Sequence, residues 1–327
     1  MTSITPTTKV LDNPPFNMPW VESPFFTQEL NQSNLDPELK EIALRFAKDG
    51  YVIFDPQISG SVLDKAIAGV EPLYKGGARV QDAWETVSAT REIATAPRIL
   101  EVLRILYRRE PIPFQTLNFP VGTQQLTHSD AVHFNSIPQK FMCGVWVALE
   151  DIHNDNGPLH YYPGSHKLPF YDMIDMGLSG SSAQTVEELY GKEGVYREYE
   201  KRLATIIEAQ GLKKMIMNMP KGNALIWASN LLHGGEPIND PTSSRHSQVT
   251  HYFFEDCVYY TPLRSDTTID KLFVRKIRNI ITGKLVPNKY FGRPVNQDGH
   301  AKAASITGIV RSIGRMLPKS LIKKIKR

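Results

Sequence analysis

The stretch QQLTHSDAVHF, residues 124–134, places His128 and Asp130 two positions apart, and another histidine, His133, follows three residues after the aspartate. Along an extended chain, residues i and i+2 project to the same side. His128 and Asp130 can therefore reach one ion while Ser129 faces away. A His-x-Asp pair by itself reads equally well as a solvated turn, so the chain must supply a further donor. His233 in ASNLLHGGEP, where an apolar run ends in a glycine-rich turn, is the candidate; a histidine packed against its own turn is the structural alternative. Two imidazoles and one carboxylate on one face of a metal leave the other face open. Iron(II) oxygenases need that openness to admit O₂ and a co-substrate.

Twelve residues beyond His233, the run SSRHSQVTHYFF carries Arg245 and Ser247 two apart, with His246 between them. On a strand, Arg245 and Ser247 share a face. A guanidinium presents a planar fork suited to a carboxylate, and a hydroxyl beside it adds a donor. A small dicarboxylate that chelates a metal at one end needs such a clamp at the other. A surface arginine at a strand start is the bland reading.

These residues require elements that hold them. DPELKEIALRFAKDG (36–50) has Asp36 as N-cap, Pro37 at the first helical position and Gly50 as its stop, with apolar Leu39, Ile42, Ala43 and Phe46 at helical spacing. YVIF (51–54) reads as a strand, a second helix starts after Ser59, and residues 90–109 continue the helical pattern. From about residue 111 the chain turns to short β-branched and aromatic runs separated by Gly, Pro, Asn and Asp, which suggests an antiparallel sandwich or barrel. A helical insert of about 170–210 interrupts those runs, a plausible lid. Residues 1–35, rich in Pro, Thr and Asn, read as an irregular N-terminal arm. The catalytic domain then spans 36–265, and 266–327 reads as a basic helical C-terminal extension, beginning with TIDKLFVRKIRNIITGK.

Taken in order, His128-x-Asp130, His233 and Arg245-x-Ser247 resemble the phytanoyl-CoA dioxygenase family of Fe(II)/2-oxoglutarate-dependent oxygenases. The more specific piece is VWVALEDIHNDNGPLHYYPGSHKLP (145–169), which is similar to that family's "AL" strand, "NGPL" turn and "PGSH" run; RFAKDGYVIFD (45–55) resembles its opening helix and strand. The resemblance covers roughly residues 38–260. It implies a mainly β fold with flanking helices around a double-stranded β-helix, a cupin-like jelly roll. It implies Fe(II) held by His128, Asp130 and His233, with 2-oxoglutarate as co-substrate, its distal carboxylate gripped by Arg245 and Ser247. O₂ is then the oxidant, ascorbate a supporting reductant, and a small molecule or lipid-like compound the substrate. A carboxylate at 130 implies a hydroxylase, because related halogenases carry a small residue there that leaves room for chloride. Gln125 is a candidate hydrogen-bond donor to 2-oxoglutarate, Trp146 a candidate wall of its pocket, and His133 a candidate substrate contact. Asn156 reads as a turn residue bonded to backbone, His166 as a group that could orient neighbours near the site, and His153, His160, His251 and His300 as structural or exposed. A jelly roll that retains its metal but binds without oxidising, as a sensor, is the alternative that the intact triad and clamp disfavour.

Composition narrows the remaining classes. With 41% hydrophobic and 22% charged residues in 327, the chain can bury a sizeable core. Only two cysteines are present, so no disulfide framework organises it, and buried thiols in a reducing cytoplasm are expected. The N-terminus shows no basic stretch followed by an apolar one, so no secretory signal is expected. The net charge of +4 conceals an asymmetry: residues 301–327 hold eight basic residues and no acid, which leaves about −4 for the first 300. No basic, aromatic-interleaved surface marks the catalytic region for nucleic acid. In the tail, Ile306, Ile309, Val310, Ile313, Met316 and Leu317 follow helical spacing beside the basic residues. Such a helix can lie on an anionic membrane surface, or pack its apolar stripe on its own domain or a second subunit.

Overall fold

The computed structural model describes residues 16–76, 79–178, 188–191, 194–266 and 271–295. Its helices are α1 (Phe26–Gln32), α2 (Pro37–Asp49), α3 (Gly60–Val70), α4 (Ser88–Ala94), α5 (Pro97–Tyr107) and α6 (Gly194–Ala209). The caps of α2 are those its sequence specifies: Asp36 Oδ1 accepts from the Leu39 amide at 2.8 Å, and Gly50 closes the helix in the left-handed region at φ 80°. Its stripe of Leu39, Ile42, Ala43 and Phe46 is buried. The helical run 90–109 divides into α4 and α5 at Pro97, whose ring fixes φ and removes an amide donor.

Six strands form the main sheet: β1 (Tyr51–Phe54), β2 (Val80–Gln81), β3 (Pro111–Phe119), β5 (Met142–Ala148), β8 (Ala224–Ala228) and β10 (Ser247–Phe254). They run antiparallel in the order β1-β8-β5-β10-β3-β2. Every residue of the central β5, β8 and β10 is buried, because both faces of the sheet are covered. On one face lie the helices: Gln248 Nε2 donates to Thr90 O at 2.8 Å and the Tyr252 hydroxyl to Ala94 O at 2.7 Å. The other face presents Leu117, Trp146, Leu225, Trp227 and Val249, which pack with Ile152, Tyr161 and Met217 in a second apolar cluster. Opposite stands the small sheet β7-β6-β9, made of β6 (Leu159–Tyr161), β7 (Met215–Ile216) and β9 (His233–Gly235). Beside it, β4 (Asn135–Ile137) pairs with β11 (Val258–Tyr260). Facing antiparallel sheets flanked by helices are the expected jelly roll.

Within the insert, α6 buries Tyr199, Glu200 and Leu203. Its apolar side packs with Met173, Met176, Leu178, Val132 and Leu232, and Val132 and Leu232 adjoin the proposed ligands in sequence. Helix α6 is thus bolted to the rim of the site.

Two expectations are corrected. Residues 16–35 are not simply irregular: a short 3-10 turn at Trp20–Glu22 and α1 bury Trp20, Val21, Phe26 and Leu30 in the main core. Four large apolar side chains gain more from burial than a solvated arm could offer. The run after residue 266 does not return to helix over its described part. Residues 271–295 form two short hairpins, β12 (Ile277–Arg278) with β13 (Leu285–Val286), and β14 (Lys289–Tyr290) with β15 (Arg293–Pro294). Ile277 and Ile280 are buried there, the Ile280 amide donates to Pro113 O at 2.8 Å, and Gly283 turns the chain at φ 68°. Tertiary partners thereby override a helical periodicity. Residues 1–15 of the arm and the basic tail 301–327 lie outside the described residues. Among the described residues no helix is long and apolar enough to cross a membrane.

Candidate metal centre and co-substrate pocket

The chain brings His128 and His233 together through an antiparallel bridge. The His128 amide donates to His233 O at 2.9 Å, and the His233 amide returns a bond to His128 O at 3.0 Å. Ser129 is extended at φ −117°, ψ 132°, which turns Asp130 to the same side as His128. Ser129 itself points away, its Oγ donating to Ser229 O at 3.1 Å. Asp130 then opens a 3-10 turn, Asp130–Val132, instead of continuing the strand. One ligand atom from each of His128, Asp130 and His233 lies within 4.8 Å of the others, and all three residues are buried.

Both rings are aimed by their backbones. His128 Nδ1 lies 2.8 Å from Leu126 O, and His233 Nδ1 lies 2.9 Å from Leu231 O. A carbonyl oxygen only accepts, so each Nδ1 carries the proton and each Nε2 keeps a free lone pair. Those Nε2 atoms stand 3.6 and 3.9 Å from Asp130 Oδ1. The other carboxylate oxygen is held from behind: Trp227 Nε1 donates to Asp130 Oδ2 at 2.8 Å, and His251 Nε2 lies 3.5 Å from the same oxygen. Burial works to raise the Asp130 pKa, yet His233, His128 and His251 hold it well below the usual carboxylate range. Burial, then His128, pushes His233 down to about 4, so it is neutral at physiological pH. Burial works to lower the His128 pKa as well, but the hydrogen bond to Asp130 and the Asp130 charge raise it, so a metal ion at its Nε2 would take the place of a proton. Two imidazoles and a carboxylate, each oriented by a hydrogen bond behind it, form a donor set suited to iron(II).

Trp227 can lie across the sheet only because Gly144, opposite it in the β5–β8 register, has no side chain; a Cβ there would meet the indole at 2.2 Å. His251 follows Val249 at a two-residue step on the cavity face of β10, the alternation that begins with Arg245 just before the strand. It is buried at the site, which corrects its reading as a merely structural or exposed residue. The alternation of that strand was the available signal. Trp227 had none, because it meets Asp130 only through the sheet register.

Arg245 enters the cavity just before β10. It is 1% exposed, with its amide anchored to Pro120 O at 2.8 Å and Nη1 donating to Gly157 O at 3.0 Å. Asn156 secures this corner through Nδ2, which donates to Asp151 O and Ser244 O, the turn role its sequence suggested. Three buried donors beside it have no partner: Arg245 Nε, Ser247 Oγ and Trp146 Nε1. Burial lowers the Arg245 pKa to about 10, still cationic at neutral pH. A buried cation with unmet donors is costly unless an anion completes it. Arg245, Ser247 and Trp146 therefore fit a carboxylate, and with the triad in the same cavity they fit a dicarboxylate such as 2-oxoglutarate.

The cavity has a volume of about 660 Å³. His133 lines it, its ring 4.8 Å from that of Tyr196 on α6, with burial pushing its pKa to about 4. Gln125 also lines it but bonds the Tyr196 hydroxyl at 3.4 Å, toward the insert. Thr127, just before the first ligand, is tied by Oγ1 to His160 Nε2 at 2.7 Å, and Glu236 Oε1 lies 2.7 Å from the other nitrogen of that ring. His166 is buried beside Gly50 at the end of α2 and does not line the cavity.

A protein-family model described as Phytanoyl-CoA dioxygenase (PhyH) matches residues 78–247. Phytanoyl-CoA dioxygenase domain-containing protein 1 of Danio rerio is 22% identical over 221 residues, covering 66% of this chain and 65% of the relative. The protein of the same name from Mus musculus is 30% identical over 80 residues, 23% of this chain and 28% of the relative. The chain thus spans just under two thirds of the length of the first and far less of the second. Among solved structures, the non-heme alpha ketoglutarate dependent epimerase SnoN from nogalamycin biosynthesis superposes with a TM-score of 0.54 at 20% identity, over 81% of this chain and 98% of that one. The carbocyclase SnoK from the same biosynthesis gives 0.53 at 16%, over 69% and 87%. EctD from S. alaskensis with 2-oxoglutarate and 5-hydroxyectoine gives 0.51 at 18%, over 71% and 81%. At such identities the likeness is one of fold.

Proposed function

This chain belongs to the phytanoyl-CoA dioxygenase family, and from that premise we propose that it is an Fe(II)- and 2-oxoglutarate-dependent oxygenase that hydroxylates a C–H bond of a small-molecule or lipid-like substrate. The observation that carries this reading is the convergence of His128 Nε2, Asp130 Oδ1 and His233 Nε2 in the same cavity as Arg245 and Trp146, whose Nε and Nε1 are buried without a partner.

In this reading His128, Asp130 and His233 hold the iron, and Trp227 keeps the Asp130 carboxylate turned to offer one oxygen. Arg245 and Ser247 take the distal carboxylate of 2-oxoglutarate, whose keto acid end then faces the triad. Iron(II) with 2-oxoglutarate supplies the activation of O₂, the co-substrate leaving as succinate and CO₂. The main sheet walls the site on one side, and Tyr196 of α6 with His133 and Gln125 borders the space left for substrate.

Succinate formation from 2-oxoglutarate with Fe(II), ascorbate and O₂ tests the proposal, with His128→Ala as the control that should be inactive. Calorimetry of 2-oxoglutarate binding to metal-loaded protein removes the dependence on a known substrate. No binding and no succinate across a broad substrate panel would favour a non-catalytic jelly roll. Because structures of the same fold include an epimerase and a carbocyclase, the hydroxylation itself is tested separately. Isotopically labelled O₂ should place its label in the product; turnover to succinate without labelled product would replace hydroxylation by another oxidative outcome.

A further inference from the structure

Four guanidinium groups line the cavity, those of Arg79, Arg245, Arg264 and Arg275, and among the described residues Asp130 is the only acid in its wall. A divalent metal adds two positive charges, while Asp130 and the two carboxylates of 2-oxoglutarate remove three. The filled site therefore keeps three positive charges, one for each arginine outside the clamp. None of Arg79, Arg264 and Arg275 has a carboxylate within ion-pairing distance among the described residues.

Arg275 is the one built into place. Its amide donates to Tyr259 O at 2.7 Å, and its own carbonyl accepts from Asn288 Nδ2 at 3.0 Å. Nη1 donates to Thr261 Oγ1 at 2.8 Å, and the guanidinium carbon lies 4.6 Å over the Phe134 ring. Nε is buried and has no partner. Burial lowers the Arg275 pKa, and the neighbouring Arg264 cation lowers it further. Arg264 is exposed at the cavity rim, resting over the Phe273 ring at 5.1 Å. Two like charges on the wall of one cavity with no counter-ion are unfavourable, and an anion between them removes the penalty. Aromatic rings stand between Arg275 and the triad. Phe134 separates Arg275 from His251, their rings 4.9 Å apart, and His251 Nε2 is 3.5 Å from Asp130 Oδ2.

We propose that Arg275, with Arg264 beside it, binds an oxyanion of the substrate, a carboxylate or a phosphate ester, several bonds from the carbon that is oxidised. The substrate is then an amphiphilic anion: its apolar part lies against Phe134, Leu117 and Val249, and its charged end is turned to the rim. This rests on the function proposed above, because it takes the cavity beside the triad as the substrate site.

The test is direct binding to the full chain loaded with Mn(II), which is inert to O₂, and saturating 2-oxoglutarate so that the Arg245 clamp is filled. The probes are octanoate, octyl phosphate and uncharged octanamide, followed by calorimetry. Both anions should bind at least tenfold tighter than octanamide; the tighter of the two tells a phosphate ester from a carboxylate. Arg275→Gln should lower the affinity for the anions at least tenfold while leaving octanamide and 2-oxoglutarate unchanged. Arg264→Gln, at an exposed position, should lower it severalfold and decides the matter if Arg275→Gln proves unfolded. Equal binding of octanamide and the anions, or anion binding indifferent to both substitutions, overturns the oxyanion site. Should 2-oxoglutarate fail to bind while the anions bind in an Arg275-dependent way, the oxygenase reading falls and the oxyanion site stands.

Discussion

At the scale of single residues, the site separates groups that offer an atom from groups that aim it. His128, Asp130 and His233 offer atoms, and Asp130→Ala or His233→Ala should abolish stoichiometric iron binding, measured by metal analysis after anaerobic loading. Trp227 aims one, and Trp227→Phe, which keeps a ring but removes the donor to Asp130 Oδ2, should weaken iron affinity by roughly 10- to 100-fold. An unchanged affinity would reduce Trp227 to packing. At the clamp, Arg245→Lys keeps the charge and loses the planar fork. With hydrogen bonds to charged groups worth about 1.5–3 kcal/mol, 2-oxoglutarate should bind roughly tenfold weaker or worse, read as a rise in its KM with little change in KM for substrate. The pairing of His128 with Asp130 was legible from type and spacing, because the i, i+2 rule is local; His233 was a candidate from its glycine-rich turn and the family resemblance, since it lies on a distant segment. Trp227 was not, because its partner lies 97 residues away across the sheet.

At the scale of elements, the sheet positions the site through register. Gly144 sits opposite Trp227, so Gly144→Ala must push the indole off Asp130. Overpacking of this kind costs about 1–3 kcal/mol, and the expected outcome is a lower unfolding midpoint together with weakened iron binding. Loss of stability with iron affinity intact would separate the packing role from the aiming role. Helix α2 shows the opposite case: Asp36, Pro37, Gly50 and the apolar stripe declare it in the sequence, because caps and periodicity are properties of neighbours in the chain. The run TIDKLFVRKIRNIITGK reads as helix in the sequence, yet its described part enters a hairpin, because Ile277 and Ile280 find burial against the body, which the local sequence does not encode.

Across the whole molecule, the covered sheet and the insert divide the labour. The helices on one face make the scaffold rigid, and α6 brings Tyr196 to the cavity while Tyr199 and Leu203 anchor it in its own cluster. Leu203→Ala removes a buried anchor, a change that costs about 2–5 kcal/mol where the site cannot collapse. Since α6 packs apart from the main core, the effect should fall on substrate, raising its KM while the affinity for 2-oxoglutarate holds. A parallel loss of both would mean that the insert supports the clamp as well. What the chain determined by itself is the set of donors, the helix caps, the alternation of the strands and the glycine-rich turn after His233, all consequences of residue type and of partners a few positions away. Only the tertiary structure decided that His128 and His233 share a bridge, that Trp227 and His251 stand behind Asp130, and that Arg275 joins the same cavity. Those are contacts between distant segments, settled by strand register and by the need of buried polar groups for partners, and no local pattern records either.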